Sequence, residues 1–254
     1  MEILNNQPIQ SPILLFLPLF LFIYLTGYFL IFKNWPPKFR PEASSCFISI
    51  FHGTPAAILA TFSLLHNTQK NNFFFFSENT HFQNMVLEYS IAYFIMDLTH
   101  YLIFYPHDIM FIGHHLATLF VFITCRFLVS HGAFSILVLL ILAEITSLLQ
   151  NLWTLANARR VESEFAAKVY NFLSPPFYVL YTIARVILGP FFVYKMGCSL
   201  WRGDADGIIP TWVWISWIGV IVMAISVSIL WIWNLWIHFF REWQCNKRLD
   251  KKSQ

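Results

Sequence analysis

The stretch WVWISWIGVIVMAISVSILWIWNLWIHFF, residues 212 to 240, contains no Asp, Glu, Lys or Arg. A helix needs about 20 apolar residues to cross the hydrocarbon core of a bilayer, and this run exceeds that length. Trp212, Trp214 and Trp217 stand at one end, with Trp231, Trp233, Trp236 and Trp243 at the other. Two Trp clusters separated by an aliphatic middle are the pattern of aromatic belts at the two membrane interfaces. The reading is therefore a transmembrane helix.

Six more segments upstream have comparable length and apolarity: Ser11 to Phe32, Cys46 to Leu65, Leu87 to Tyr105, Met110 to Leu128, Phe134 to Leu155 and Pro176 to Tyr194. The expected fold is all-α, a polytopic membrane protein with about seven transmembrane helices. Composition agrees, since 57% of the 254 residues are apolar and 11% charged. A soluble globule needs more charge to cover its surface, so a soluble enzyme, a secreted disulfide scaffold and a disordered chain are excluded. A net charge of +3, dispersed along the chain, gives no footprint for nucleic acid. Cys46, Cys125, Cys198 and Cys245 form no CxxC pair and read as reduced structural thiols. The first apolar segment is preceded only by Glu2, lacks the basic region of a cleavable signal peptide, and reads as a retained span.

Lys and Arg accumulate on the cytosolic side of membrane proteins. With the N-terminus lumenal and the C-terminus cytosolic, eleven basic residues fall on the cytosolic side and four (Lys70, Arg126, Lys195, Arg202) on the other. Between Ala156 and Pro175, Val161, Phe165, Val169 and Phe172 recur at helical spacing, consistent with a short amphipathic helix on the cytosolic interface. The loop from His66 to Val86 carries Phe73 to Phe76, too short to span and expected to dip into the outer interface. The tail ends Lys251-Lys252-Ser253-Gln254, which matches a dilysine endoplasmic-reticulum retrieval signal read by coat machinery. A patch attracted to anionic lipid is the alternative.

Ionisable groups inside spans cost about 2.5 to 3.5 kcal/mol each on insertion scales, which makes each a candidate site residue. Here they are His52, Asp97, His100, His114, His115, Glu144 and Arg185. If the third and fourth spans fold about a turn centred near His107, position 100 lies opposite 114 and Asp97 level with Thr118. Two layers follow: His52, His100, His114 and His115 towards the cytosol, and Asp97, Glu144 and Arg185 behind, with Arg185 a partner for Asp97 or Glu144. A di-iron site needs HxxHH-type boxes, and the histidine spacing here has none. A single zinc held by His and carboxylate is possible on inventory. So is acyl transfer, in which a histidine acts as base or nucleophile and an acid orients it.

Asp97 followed by His114-His115-Leu116-Ala117-Thr118 resembles the TLC domain, as do Ser49 and His52 shortly after Lys38 and Arg40. This module is shared by ceramide synthases, a translocon-associated protein and a cargo receptor of the endoplasmic reticulum. The resemblance divides the chain into an N-terminal helix and loop (1–37), a TLC domain of six helices around a polar cavity (38–243) and a basic cytosolic tail (244–254). Ceramide synthases carry His-Asp-x-x-Asp one span after the paired histidines, where this chain reads Ala143-Glu144-Ile145-Thr146-Ser147. One acid survives as Glu144 and the second position is Ser147, which places the chain beside TLC-domain proteins outside the synthase group.

The resemblance implies an endoplasmic-reticulum protein of lipid homeostasis that binds or modifies a membrane lipid, with sphingolipid chemistry the nearest precedent. In an acyltransferase form, His114, His115, Asp97 and Glu144 would be catalytic and fatty acyl-CoA a co-substrate, with no resident cofactor or metal. His52, His100, Thr118 and Arg185 would hold substrate. A lipid sensor or cargo receptor using the same polar cluster structurally is the alternative.

Overall fold

The computed structural model describes residues 11–68 and 75–250. Lys251 and Lys252 lie outside the described residues, as do Lys70, Phe73 and Phe74. The described chain is helical: α1 (Ile13–Thr26), α2 (Arg40–Thr68), α3 (His81–Phe104), α4 (Ile109–Ile123), α5 (Ala133–Glu144), α6 (Ser147–Arg159), α7 (Glu164–Tyr181), α8 (Gly189–Trp201) and α9 (Thr211–Asp250). Because α5 runs into α6, and α7 into α8 through a π-helical segment at Thr182–Leu188, these make seven rods. Among the described residues, six rods are long and apolar enough to cross a membrane.

The rod short of that criterion is α3, and the reason is where it sits. Gln83, Glu88, Ser90, Asp97 and His100 lie along it and all are buried. Protein contacts surround it on several sides. Phe16, Phe20 and Tyr24 of α1 meet Tyr89, Tyr93 and His100, Ser45 and His52 of α2 meet Asp97 and Ser90, and α4 covers the remaining face through His115. A helix sheathed by other helices has its polar groups satisfied by protein, so it needs no apolar exterior. Its 24 residues correspond to ~36 Å at ~1.5 Å per residue, enough to cross beside its neighbours. A capping box of Thr80 and Gln83 starts it six residues before the expected Leu87. The outer helices show the converse: Leu14, Leu15 and Phe22 of α1 point outward, as lipid-facing residues do.

Four local expectations are corrected. The fifth span is interrupted at Ile145 and Thr146, where α5 ends and α6 begins. The amphipathic segment is not a separate interfacial helix: it starts at Glu164, capped by Ser163, and continues through Pro175 and Pro176 into the sixth span. Adjacent prolines are tolerated there because tertiary packing, through the buried Phe177 and Tyr178 just beyond, holds the helix together. Phe75 and Phe76 turn inward rather than to the interface. Phe76 is buried in the core, Phe75 packs on Phe134 and Phe192, and Ser135 Oγ donates to the Phe75 carbonyl. Trp217 is no belt residue either: it is fully buried, and its Nε1 donates to Thr124 Oγ1 at 2.8 Å.

The two ends of the bundle differ in charge. Arg40 donates to the carbonyls of Lys33 and Trp35, and Arg159 lies over the Trp35 ring at 5.1 Å. The basic loops before α2 and after α6 are therefore neighbours. At the opposite end, Glu88 holds Arg126 Nε at 2.7 Å and accepts from Ser11.

Candidate functional site

At the centre of the bundle, Asp97 on α3 is buried and accepts from three elements. Ser45 Oγ of α2 donates to Oδ1 at 2.6 Å, Tyr93 hydroxyl lies 3.4 Å from Oδ2, and His115 Nε2 of α4 lies 2.8 Å from Oδ2. The second nitrogen of His115, Nδ1, faces the Phe111 carbonyl at 2.7 Å. A carbonyl only accepts, so Nδ1 carries a proton, and one more proton sits between Nε2 and the carboxylate. Both nitrogens are thereby engaged. His115 has none left to offer a substrate.

This pairing corrects the expected register. Asp97 meets His115, and Tyr101 stacks on Phe111 at 5.1 Å, so the hairpin turns about residue 106 rather than His107, and Thr118 lies beyond Asp97. The four histidines do not share a layer. His100 points to the other side of α3, where Nδ1 meets Tyr24 hydroxyl of α1 at 2.9 Å. His52 is enclosed: its ring stacks on Tyr93 with centroids 4.0 Å apart and planes 5° apart, and Nε2 meets Ser90 Oγ at 3.1 Å. Neither reaches the cavities described below.

His114 is placed differently. Its ring has no hydrogen-bond partner among the described residues, and it borders two adjoining cavities. One, of about 200 Å³, is polar and lies towards the basic end, walled by Asp97, Ser147, Asn151 and others. The other, of about 140 Å³, is apolar and lies deeper, walled by Phe122, Leu140, Val220 and Ile225 among others. They share Phe94, His114, Ala143, Glu144 and Arg185. Thr118 borders the deeper cavity while its hydroxyl donates to the His114 carbonyl at 2.9 Å.

Arg185 makes no direct ion pair with Asp97 or Glu144 among the described residues. Its Nη2 donates to the Ala143 carbonyl at 2.9 Å, at the break between α5 and α6, and its buried Nε has no hydrogen-bond partner among the described residues. Irregular helix thus occurs on both sides of this contact: the α5–α6 break follows Glu144, and Arg185 lies within the π segment. Such irregularities are tolerated in a membrane where they line a cavity or are covered by protein. Glu144 sits against α2, where Gly53 leaves room for it; a Cβ there would come within 2.5 Å of Glu144 Oε2 and of Ser147 Oγ.

The structure adds residues that the sequence reading did not select. Ser45 and Tyr93 complete the shell of Asp97. Asn151 Nδ2 donates to Ser49 Oγ and to the Ser147 carbonyl, both at 2.8 Å, tying α2 to α6. A signal for them existed: Ser45 precedes His52 by two helical turns, and Glu144, Ser147 and Asn151 fall at i, i+3 and i+7. Among the described residues no three His, Cys, Asp or Glu side chains come together in a geometry that could hold a metal ion.

Among the described residues, seven helical rods around a buried carboxylate–imidazole pair, with a polar and an apolar cavity adjoining, define a polytopic membrane protein with an internal site. The comparisons make this specific. The TLC-domain signature matches residues 42–237, so the chain belongs to the TLC-domain family. It is 58% identical over 253 residues to a TLC domain-containing protein of Arabidopsis thaliana, covering 98% of each chain. No solved structure matches it.

Proposed function

We propose that this protein serves lipid homeostasis in the endoplasmic-reticulum membrane by binding an amphiphilic lipid in its internal cavity. The observation behind this reading is the junction at His114, Glu144 and Arg185, which joins a polar cavity to an apolar one. A headgroup or carbonyl would sit at the junction with its chain in the deeper apolar part. Such sites are mostly apolar with a few convergent polar groups. Filling the deep cavity tests it: Ala224→Trp should abolish co-purification of lipid, read by native mass spectrometry, while the protein keeps its yield and thermal midpoint. Undiminished lipid in a folded Ala224→Trp protein would refute the assignment.

A second reading, acyl transfer, is supported by the open ring of His114. An imidazole that lines the same cavities as Glu144 has the chemistry of a general base. An amine nitrogen would attack the thioester carbonyl of a fatty acyl-CoA, forming C–N as C–S breaks, while His114 takes the amine proton and returns it to the leaving thiolate. His115 and Asp97 then act as positioning residues. On this reading His114→Gln should lower turnover about 10²- to 10⁴-fold, since Gln cannot cycle a proton, with normal protein abundance. Unchanged turnover, or no turnover in the parent protein with any amine, would remove the reaction and leave a sensor or cargo receptor.

The N-lumenal, C-cytosolic orientation is part of the proposal, supported by the gathering of Lys33, Arg40 and Arg159 at one end. In intact microsomes a C-terminal tag should be digested by added protease and an N-terminal tag protected. With that orientation, coat machinery could read Lys251 and Lys252, and replacing both by Ser should let the protein leave the endoplasmic reticulum. A protected C-terminal tag would overturn orientation and retrieval signal together.

A further inference from the structure

A third cavity, of about 370 Å³, lies at the basic end of the bundle between α6, α7 and α9. Its floor is aromatic, formed by Trp153, Tyr170 and Tyr178, and its rim carries Arg160, His238, Asn157 and Asn171. The floor is satisfied internally: Trp153 Nε1 donates to Ser174 Oγ at 2.9 Å, and Ser174 Oγ donates to the Tyr170 carbonyl at 2.7 Å. The rim is not. Among the described side chains Arg160 has no carboxylate partner and rests over the Tyr170 ring at 4.5 Å, and neither Asn amide nor His238 has a hydrogen-bond partner. The neighbouring cations are engaged, Arg159 with Glu162 at 3.1 Å and Lys168 with Glu164 at 2.8 Å. Val161, Phe165 and Phe172 are 93%, 77% and 77% exposed. At helical spacing Phe165 and Phe172 fall on the face of α7 opposite the one that lines the cleft, so α7 turns apolar side chains outward as a helix at a lipid boundary does.

We propose that this cleft binds the phosphate-bearing headgroup of an anionic phospholipid from the adjoining leaflet. Arg160 supplies a planar fork of donors suited to phosphate oxygens, and the Asn amides and His238 add further donors. The aromatic floor accepts the glycerol and the first methylenes. A phospholipid is favoured over a soluble phosphate compound because the cleft lies at the ends of three rods that are long and apolar enough to cross a membrane, the level at which headgroups sit. This site is separate from the His114 junction, and its failure would leave that reading untouched.

The test uses the full chain in phosphatidylcholine nanodiscs, titrated with dioctanoyl phosphatidate and, in a separate arm, with coenzyme A or inorganic phosphate. Retained lipid is read by native mass spectrometry. Saturable phosphatidate retention is expected, about tenfold weaker in Arg160→Gln and in His238→Gln, the scale of one lost charge-assisted contact. Arg159→Gln removes the same charge one residue away and should bind as the parent does. Having two rim variants keeps the test usable if one of them fails to fold. Equal loss in Arg159→Gln would reduce the effect to bulk surface charge and overturn the site. So would retention of phosphatidate no better than of phosphatidylcholine. Arg160-dependent binding of coenzyme A or phosphate without phosphatidate would overturn the lipid assignment in favour of a soluble source.

Discussion

Replacing Asp97 by Ala should lower the folded yield of this protein more than any substitution at the neighbouring histidines. The carboxylate is buried and accepts from Ser45, Tyr93 and His115 on three different helical surfaces. Its removal leaves the Ser45 hydroxyl and the His115 Nε2 proton without an acceptor where water is scarce. Breaking a buried ion pair by deleting one partner costs about 3 to 5 kcal/mol, most of it the penalty on the group left behind. Thermal unfolding in detergent, followed by intrinsic fluorescence, is the measurement. A double-mutant cycle names the partner. Asp97→Asn with His115→Gln should show a coupling of about 1 kcal/mol or more, as residues in one network do, whereas Asp97→Asn with Arg185→Gln should be additive. Rescue of Asp97→Asn by Arg185→Gln would restore the pairing read from the sequence and contradict the geometry.

Gly53→Leu should disrupt the protein on a similar scale by a different mechanism. A Cβ at position 53 would meet Glu144 Oε2 and Ser147 Oγ at 2.5 Å and Ser147 Cβ at 2.7 Å. The carboxylate end could swing aside, but Ser147 Cβ is fixed to the first turn of α6, so α2 and α6 must separate. Overpacking of this kind costs typically about 1 to 3 kcal/mol, and a Leu adds three further carbons to the clash. The displaced groups also wall the polar cavity, so lipid retention should fall together with the thermal midpoint. Gly113→Ala is the control. Its Cβ would meet nothing within 4 Å, and exchanging Gly for Ala inside α4 should leave stability equal or raise it by up to about 1 kcal/mol. A folded, lipid-retaining Gly53→Leu protein would show that α2 does not need this close approach.

The spans were legible because length and apolarity are properties of the chain itself, even for α3, which falls short of the apolarity of the other six and whose polar groups are met by its neighbours. The run from 212 to 240 needs no tertiary information to be read as a span, and the paired His114-His115 with Thr118 was enough to mark the family resemblance. Asp97, His114, His115 and Glu144 could be marked as candidates because a polar group in an apolar helix is conspicuous wherever it points.

What each of those groups meets was decided only by the tertiary structure. A turn displaced by about one residue moves facing positions by two, which separated Asp97 from Thr118 and delivered it to His115. Rotation of α3 sent His100 to Tyr24 while Asp97, three residues earlier, faces α2 and α4. The helix break after Glu144 and the π segment at Arg185 rest on packing: the Ala143 carbonyl is met by an arginine 42 positions away in the chain. Hydropathy along the chain reports how much apolar surface a helix offers. It carries no information on azimuth or register, and these determine that His115 is locked against Asp97 while its neighbour His114 opens into the cavity.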